Sequence, residues 1–342
     1  MLSAFFARVV DWLSTAAGIM VLVTILLAVL ATMDAGPYIL VNTIITGGML
    51  ALVSMGLALV FGVLLIPSFV HGEYFMIGGL VAYFVMQPLQ EMAPPGSGGF
   101  LTYLFPFVGI AVAAVAGALA GAVTEMAVFG PLRRRNRTNW VMNCFLLTVG
   151  LAVLLQNSHQ LIFGTEFKGI VKYFGGRPLN VLDVFISKDR VIDFILSMVV
   201  IISFGLFMKY TRTGKAIRAV SNDADGASMV GIDKARIYIL TMALGCALAA
   251  VAGGGLLFMY PSYPTAGLEP LYMAWFVVIL VGLGNVLGAL IGGFMVALFK
   301  VLTVQYIGAG WYFVVPSALI MLVLLIKPQG IFGSEVRSVL DE

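Results

Sequence analysis

The sequence predicts an all-α, polytopic membrane protein with about nine to ten membrane segments, organised as an inverted repeat with broken helices. Three observations carry that prediction. Of the 342 residues, 61% are hydrophobic and only 10% are charged, and the mean hydropathy is +1.07, well outside the composition of soluble domains. Long stretches hold no Asp, Glu, Lys or Arg, and several exceed the roughly 20 residues that one helix needs to span a bilayer, so they must fold back or break. Two polar, proline-containing interruptions divide apolar sequence in similar ways, from Pro67 to Glu73 and from Pro261 to Glu269. The same composition excludes a disordered chain, a disulfide scaffold and a nucleic-acid-binding domain, each of which needs more charge or more cysteine. Cys144 and Cys246 lie in apolar stretches and read as small packed hydrophobes. A formal net charge of +3 is too small to steer a partner.

Taken in order, the segments are expected at 12–32, 39–66, 73–90, 101–129, 140–156, 191–209, 237–258, a short 270–281, 286–304 and 311–326. The first follows Arg8 and carries Ala28 and Ala31 near its end, as a cleaved signal would, but its apolar stretch outruns a signal core of roughly 7–15 residues and reads as a retained span. Residues 131–139 hold Arg133, Arg134, Arg135 and Arg137 without an acid, and 209–236 hold six basic residues, so both loops are expected in the cytoplasm. Two spans separate them, as parity demands. The loop between those spans, 157–190, dilutes five basic residues over a longer stretch and is assigned outside. Counting outward puts both termini in the cytoplasm.

The two interruptions look like copies, each running from a proline to a glutamate through a serine and a glycine. The first faces the cytoplasmic half and the second the outer half, the arrangement of an inverted-topology transporter repeat. Breaks of this kind free backbone groups that only protein or a watery cavity can cover. Two plain surface turns would give the same residues. Ser68, His71, Glu73, Tyr263, Thr265 and Glu269 are therefore the candidate pathway residues. A carboxylate at mid-bilayer costs about 2.5–3.5 kcal/mol on insertion scales and would be functional by default. Glu73 and Glu269 also fall where a first helical turn begins, where the helix dipole favours an acid as a structural cap. His71 can titrate or hydrogen-bond cargo, or serve as a satisfied turn residue.

Gly284, Gly288 and Gly292 recur every fourth residue and are expected on one helix face, admitting a close neighbour. Gly282-Leu283-Gly284 lacks the preceding strand of a dinucleotide-binding loop, and Gly214-Lys215 lacks the rest of a Walker A pattern. No His, Cys and acid cluster has metal-ligand spacing, and no nucleophile has a base beside it.

Residues 209–236 are the most informative loop. Residues 213–220 read as a short basic helix, Asp223 caps a second one over 224–230, and Gly231 terminates it. A charged helical hairpin between two spans suits the docking of a soluble partner, although a merely solvated loop has the same composition. Arg218-Ala219, Asn222-Asp223, Ala227 and Gly231-Ile232 resemble the cytoplasmic motif of the branched-chain amino acid permeases of ABC importers, in particular the subunit type that pairs with a longer second permease. Phe69-Val70-His71-Gly72-Glu73 with Met76-Ile77-Gly78, Pro131-Leu132-Arg133 after Glu125, Gly282-Leu283-Gly284 with Gly288-Ala289 and Gly292-Gly293, and Lys327-Pro328-Gln329-Gly330-Ile331-Phe332-Gly333 resemble further elements of that family. Ser68 stands where the family usually has asparagine, and Gly130 where an arginine commonly precedes the Pro-Leu-Arg turn.

The resemblance implies a domain order of an additional N-terminal span at 1–34, a permease domain at 35–333 and a tail at 334–342. It also implies a multi-pass protein of the bacterial cytoplasmic (inner) membrane, assembled with a second permease subunit, two ATP-binding subunits and an extracytoplasmic solute-binding protein. ATP and Mg would be bound by the partner subunits, with no cofactor on this chain. Arg212, Gly214, Lys215, Arg218, Asp223, Ala227 and Gly231 would form the ATPase-coupling surface, and 157–190 a receptor-facing loop. Permeases that look like this one carry branched-chain or other amino acids, urea, amides or aromatic acids. A proton-coupled secondary transporter using Glu73 or Glu269 is the alternative from another class, and a passive channel a third.

Overall fold

The computed structural model describes residues 16–92, 100–135, 140–170, 174, 177–181 and 183–333. The expected start of the first span, Arg137, Lys172 and the tail at 334–342 lie outside the described residues. The chain forms α1 (Ala16–Ala35), α2 (Tyr38–Leu64), α3 (His71–Met92) and α4 (Phe100–Thr124), which runs through a π-helical turn (Glu125–Phe129) into α5 (Gly130–Arg135). Next come α6 (Trp140–Phe163), a hairpin of β1 (Leu179–Val181) and β2 (Val184–Ile186), α7 (Lys188–Tyr210), and the short α8 (Arg212–Asn222) and α9 (Ala224–Met229). The second half ends with α10 (Lys234–Leu256), α11 (Leu268–Val281), α12 (Val286–Tyr306) and α13 (Val314–Ile326). Among the described residues, eight helices are long and apolar enough to cross a membrane, and α11 is a shorter apolar helix. With α3 these make ten segments, in the order that the apolar runs predict.

The pairing of helices is reciprocal between halves. α2 packs chiefly on α12, and α10 on α4; α3 lies on α10, and α11 on α2. α2 and α10 cross each other, so each is the central helix of its half and the most thoroughly buried. The crossing occurs at Gly56 and Gly245. A Cβ on Gly56 would stand 2.6 Å from the carbonyl oxygen of Gly245, and one on Gly245 2.9 Å from that of Gly56. With no hydrophobic force between helices in lipid, such backbone approach is what gives dispersion contacts their strength. α1, α6 and α13 carry their exposed apolar side chains, Leu26, Leu154 and Leu325 among them, on the outside of this core.

Both breaks re-enter the helix layer. Leu65 adopts a left-handed conformation (φ 57°) that stops α2, and the chain then turns back so that His71, opening α3, lies against Gly56 in the C-terminal half of α2. Residues 257–267 make the matching return between α10 and α11. The two new helices begin side by side: Gly72 and Gly267 touch backbone to backbone. One helix thus starts from each break at a shared contact, an arrangement compatible with an inverted repeat.

Some local expectations change. The 131–139 stretch begins as helix, because the π turn lets α4 continue into α5 instead of stopping at the bilayer edge. α6 reaches Phe163, seven residues past the expected end at 156, before Gly164 (φ 79°) terminates it. Gly284, Gly288 and Gly292 do not form one packing face. Gly284 (φ 81°) is a turn residue ahead of α12, Gly288 sits under its own N-cap Asn285, and Gly292 faces Val277 and Val281 of α11. The close approach of α12 to α2 is made instead by Gly293, against Ala51. The C-terminal Lys327–Gly333 motif has a packing role: Ile331 and Phe332 donate to the last carbonyls of α11, Leu280 and Val281, at 2.8 and 3.0 Å.

Candidate translocation pathway and coupling surface

Where the half-helices meet, the first break buries three polar side chains: Ser68 and His71 are fully buried and Glu73 is 2% exposed. Neither the Ser68 hydroxyl nor one Glu73 carboxylate oxygen has a hydrogen-bond partner among the described residues. Buried polar groups are normally satisfied. Glu73 sits in the first turn of α3. The second break is built differently. Glu269 opens α11 but forms an ion pair with Lys300 of α12, whose ammonium also lies 5.3 Å from the Tyr312 ring. Tyr263 and Thr265 are half-buried, Tyr263 stacking obliquely on Phe167 of the loop after α6 at 5.1 Å. The structure therefore buries Ser68, His71 and Glu73 within the first break and leaves Tyr263 and Thr265 half-buried in the second.

Residues outside the sequence-based set hold these breaks. Thr148 of α6, fully buried, accepts from the Phe69 amide at 3.2 Å and lies 3.2 Å from the Pro67 carbonyl. Phe69 stacks on Trp275 of α11 with centroids 5.7 Å apart, and meets Phe145 edge-on at 5.7 Å. Phe61 closes the group against Trp275 at 6.2 Å. These aromatic rings pack against one another beside the first break. At the second, Lys168 and Ser262 exchange backbone hydrogen bonds of 2.8 and 2.9 Å. No local sequence signal announces partners that lie so far apart in the chain.

The α8–α9 hairpin follows its local sequence reading closely. Thr211 caps α8 through the Gly214 amide at 2.9 Å, and Asp223 caps α9 by accepting from the amides of Asp225 and Gly226 at 3.0 and 2.9 Å. Gly231 (φ 86°) ends it, with Ile232 donating back to Ala227. α8 buries Gly214, Ile217 and Val220, α9 buries Ala227, and Arg212, Lys215 and Arg218 stay exposed. Ser221 donates to the Gly62 carbonyl near the end of α2 at 2.7 Å, which ties the hairpin to the helix that leads into the first break. At its tip Met229 and Val230 are 87% and 77% exposed.

A second anchor lies beside it. Glu125 in the π turn pairs with Arg133, whose guanidinium is 4.1 Å from the Tyr238 ring of α10 and 5.3 Å from that of Trp140 at the start of α6. The Pro131-Leu132-Arg133 turn thus clamps α4, α6 and α10 together. Among the described residues no group of three or more His, Cys, Asp or Glu stands together as a metal site would require.

Comparison with known proteins agrees with this architecture. Residues 39–325 match the family model described as branched-chain amino acid transport system / permease component; α1 precedes the matched region. The high-affinity branched-chain amino acid transport system permease protein LivH of Escherichia coli is 30% identical over 297 residues, covering 85% of this chain and 94% of that protein. The corresponding BraD of Pseudomonas aeruginosa is 29% identical over 301 residues, or 86% and 94%. A probable branched-chain amino acid transport permease LivH of Methanocaldococcus jannaschii is 29% identical over 311 residues, or 86% and 92%. No solved structure matches the chain. The chain, multi-pass and helical throughout its membrane part, belongs to the branched-chain amino acid transport permease family.

Proposed function

We propose that this chain is the permease subunit of an ATP-driven, binding-protein-dependent importer of amino acids or a related small polar solute, resident in the cytoplasmic membrane. The observation that carries the reading is the capped α8–α9 hairpin, rigidly seated on α2 and α7 and ending in the exposed Met229 and Val230. A docking element must keep its shape to pass on force, and this one has both helix starts capped. The family membership supports the same reading and gives no support to a proton-coupled secondary transporter. The chain is not itself an enzyme on this reading: two ATP-binding subunits hydrolyse ATP with Mg, a second permease completes the pathway, and a solute-binding protein delivers cargo to the outer loop. Residues 1–34 add a span to the permease domain at 35–333.

Ser68, His71, Glu73, Tyr263, Thr265 and Glu269 line or adjoin the pathway, and Arg212, Gly214, Lys215, Arg218, Asp223, Ala227 and Gly231 build the coupling surface. Of these Arg218 faces the ATPase. Loss of the Asp223 cap costs about 0.5–2 kcal/mol of local helix stability. Asp223→Ala and Arg218→Glu are expected to lower cargo-stimulated ATPase activity and uptake in the reconstituted complex while solute binding by the delivery protein is unchanged. Full stimulated activity in both variants would refute the coupling assignment.

A further inference from the structure

One continuous segment grips both breaks. Within α6, the buried Thr148 holds the backbone of Phe69 at the first. Past Gly164 the same chain runs as a strap to Lys168, which pairs with Ser262 of the second break through two backbone hydrogen bonds. Side chains reinforce the strap: Phe167 lies on Tyr263 at 5.1 Å, and the Lys168 ammonium is 5.9 Å from the rings of both Tyr83 and Phe84 of α3. The strap therefore touches both half-helix units, α3 directly and α11 through the residues that lead into it.

We propose that α6 and its strap are the positioning element of the transport cycle, with the Lys168–Ser262 pair closing the outer entrance and Thr148 holding the inner break. The inference rests on the import reading. Residues 257–267 belong to no long helix, so the two strap bonds can be released without unwinding one, and Leu268 follows at once, so any shift of this break reaches the Gly72–Gly267 contact. Phe167, 71% exposed, is the handle that a docking protein would engage; Ser262 beneath is 4% exposed.

Residues that exchange both bonds of an antiparallel pair have Cα atoms about 5.5 Å apart, inside the range that a disulfide spans. Lys168→Cys combined with Ser262→Cys, oxidised in the assembled complex in proteoliposomes, should lower ATP-driven uptake at least tenfold, with recovery on reduction and near wild-type uptake in each single variant. Cross-linked protein, verified by mass spectrometry, that imports at the wild-type rate would overturn the proposal. A second arm needs no ATP. A cysteine at Thr265 should react several-fold faster with an impermeant outer reagent when Lys168→Pro removes the strap amide than when Lys168→Ala keeps it; equal rates refute the closure. Thr148→Val should likewise speed labelling of Phe69→Cys from the cytoplasmic side, and Thr148→Ser should restore the wild-type rate; no change in the valine variant refutes the inner grip. A wild-type complex without ATP-dependent uptake would refute the import reading, and the labelling arm would still decide the strap.

Discussion

The Glu125–Arg133 pair sets a stability test whose size follows from its surroundings. The side chains are 4% and 18% exposed respectively, so the carboxylate is cut off from bulk water and the guanidinium keeps only partial access to it. Unit charges about 4 Å apart attract by about 4 kcal/mol at an effective dielectric near 20, and removing one member of a buried pair costs about 3–5 kcal/mol because the other stays behind unpaired. Arg133→Met should fall in that range, since it leaves the carboxylate stranded and also gives up the contacts with the Tyr238 and Trp140 rings. Glu125→Gln should cost less, about 1–3 kcal/mol, because the guanidinium keeps its rings and its partial access to water. The double variant should be less damaged than the sum of the two by about 1–3 kcal/mol, the signature of direct coupling. The assay is SDS-driven unfolding of the purified subunit followed by near-UV circular dichroism. An Arg133→Met protein unfolding at the wild-type SDS fraction, or strict additivity in the cycle, would refute the pair as the clamp of α4, α6 and α10.

Two further predictions concern topology and packing. Single cysteines at Arg135 and Phe167 should label oppositely with an impermeant thiol reagent, Arg135→Cys from the cytoplasmic side only and Phe167→Cys from the outside only; labelling of both in intact cells contradicts the span count. At the half-helix junction, a Cβ at Gly72 would lie 2.7 Å from the Gly267 oxygen and 3.0 Å from Leu271 Cβ, whereas one at Gly267 runs into the Gly72 carbonyl more deeply. Overpacking against backbone costs roughly 1–3 kcal/mol or more, so Gly267→Ala should lose more folded protein and more uptake than Gly72→Ala, and the reverse order would argue against this contact.

What could be read from the sequence was local. Helix existence follows from apolar run length, and the hairpin follows from residues within one turn of each other: Asp223 caps the amides two and three residues on, and Gly231 needs only its own φ. The breaks were legible because proline, glycine and serine interrupt apolar sequence. The rest depends on partners distant in the chain. Thr148 meets Phe69 across 79 residues and Ser221 meets Gly62 across 159, and neither hydroxyl differs in composition from the many that bond their own helix, as Thr303 does with Phe299. The glycine run at 284–292 misled for the opposite reason: its spacing is helical, but Gly284 is spent on a turn before the helix starts.

The two breaks also separate what a repeat preserves from what it does not. Gly72 and Gly267 occupy matched places because the backbones of the half-helices must approach there, and that requirement is the same seen from either side. The glutamates that follow face different neighbours. Lys300 from α12 neutralises Glu269, while Glu73 is more deeply buried and keeps one oxygen without a partner. A helix N-terminus favours either carboxylate to a similar degree, so the difference arises from the surrounding helices and not from the motif. The two breaks are consequently unlike in their polar groups: the unpartnered oxygen-bearing side chains, Ser68 and Glu73, both come from the first.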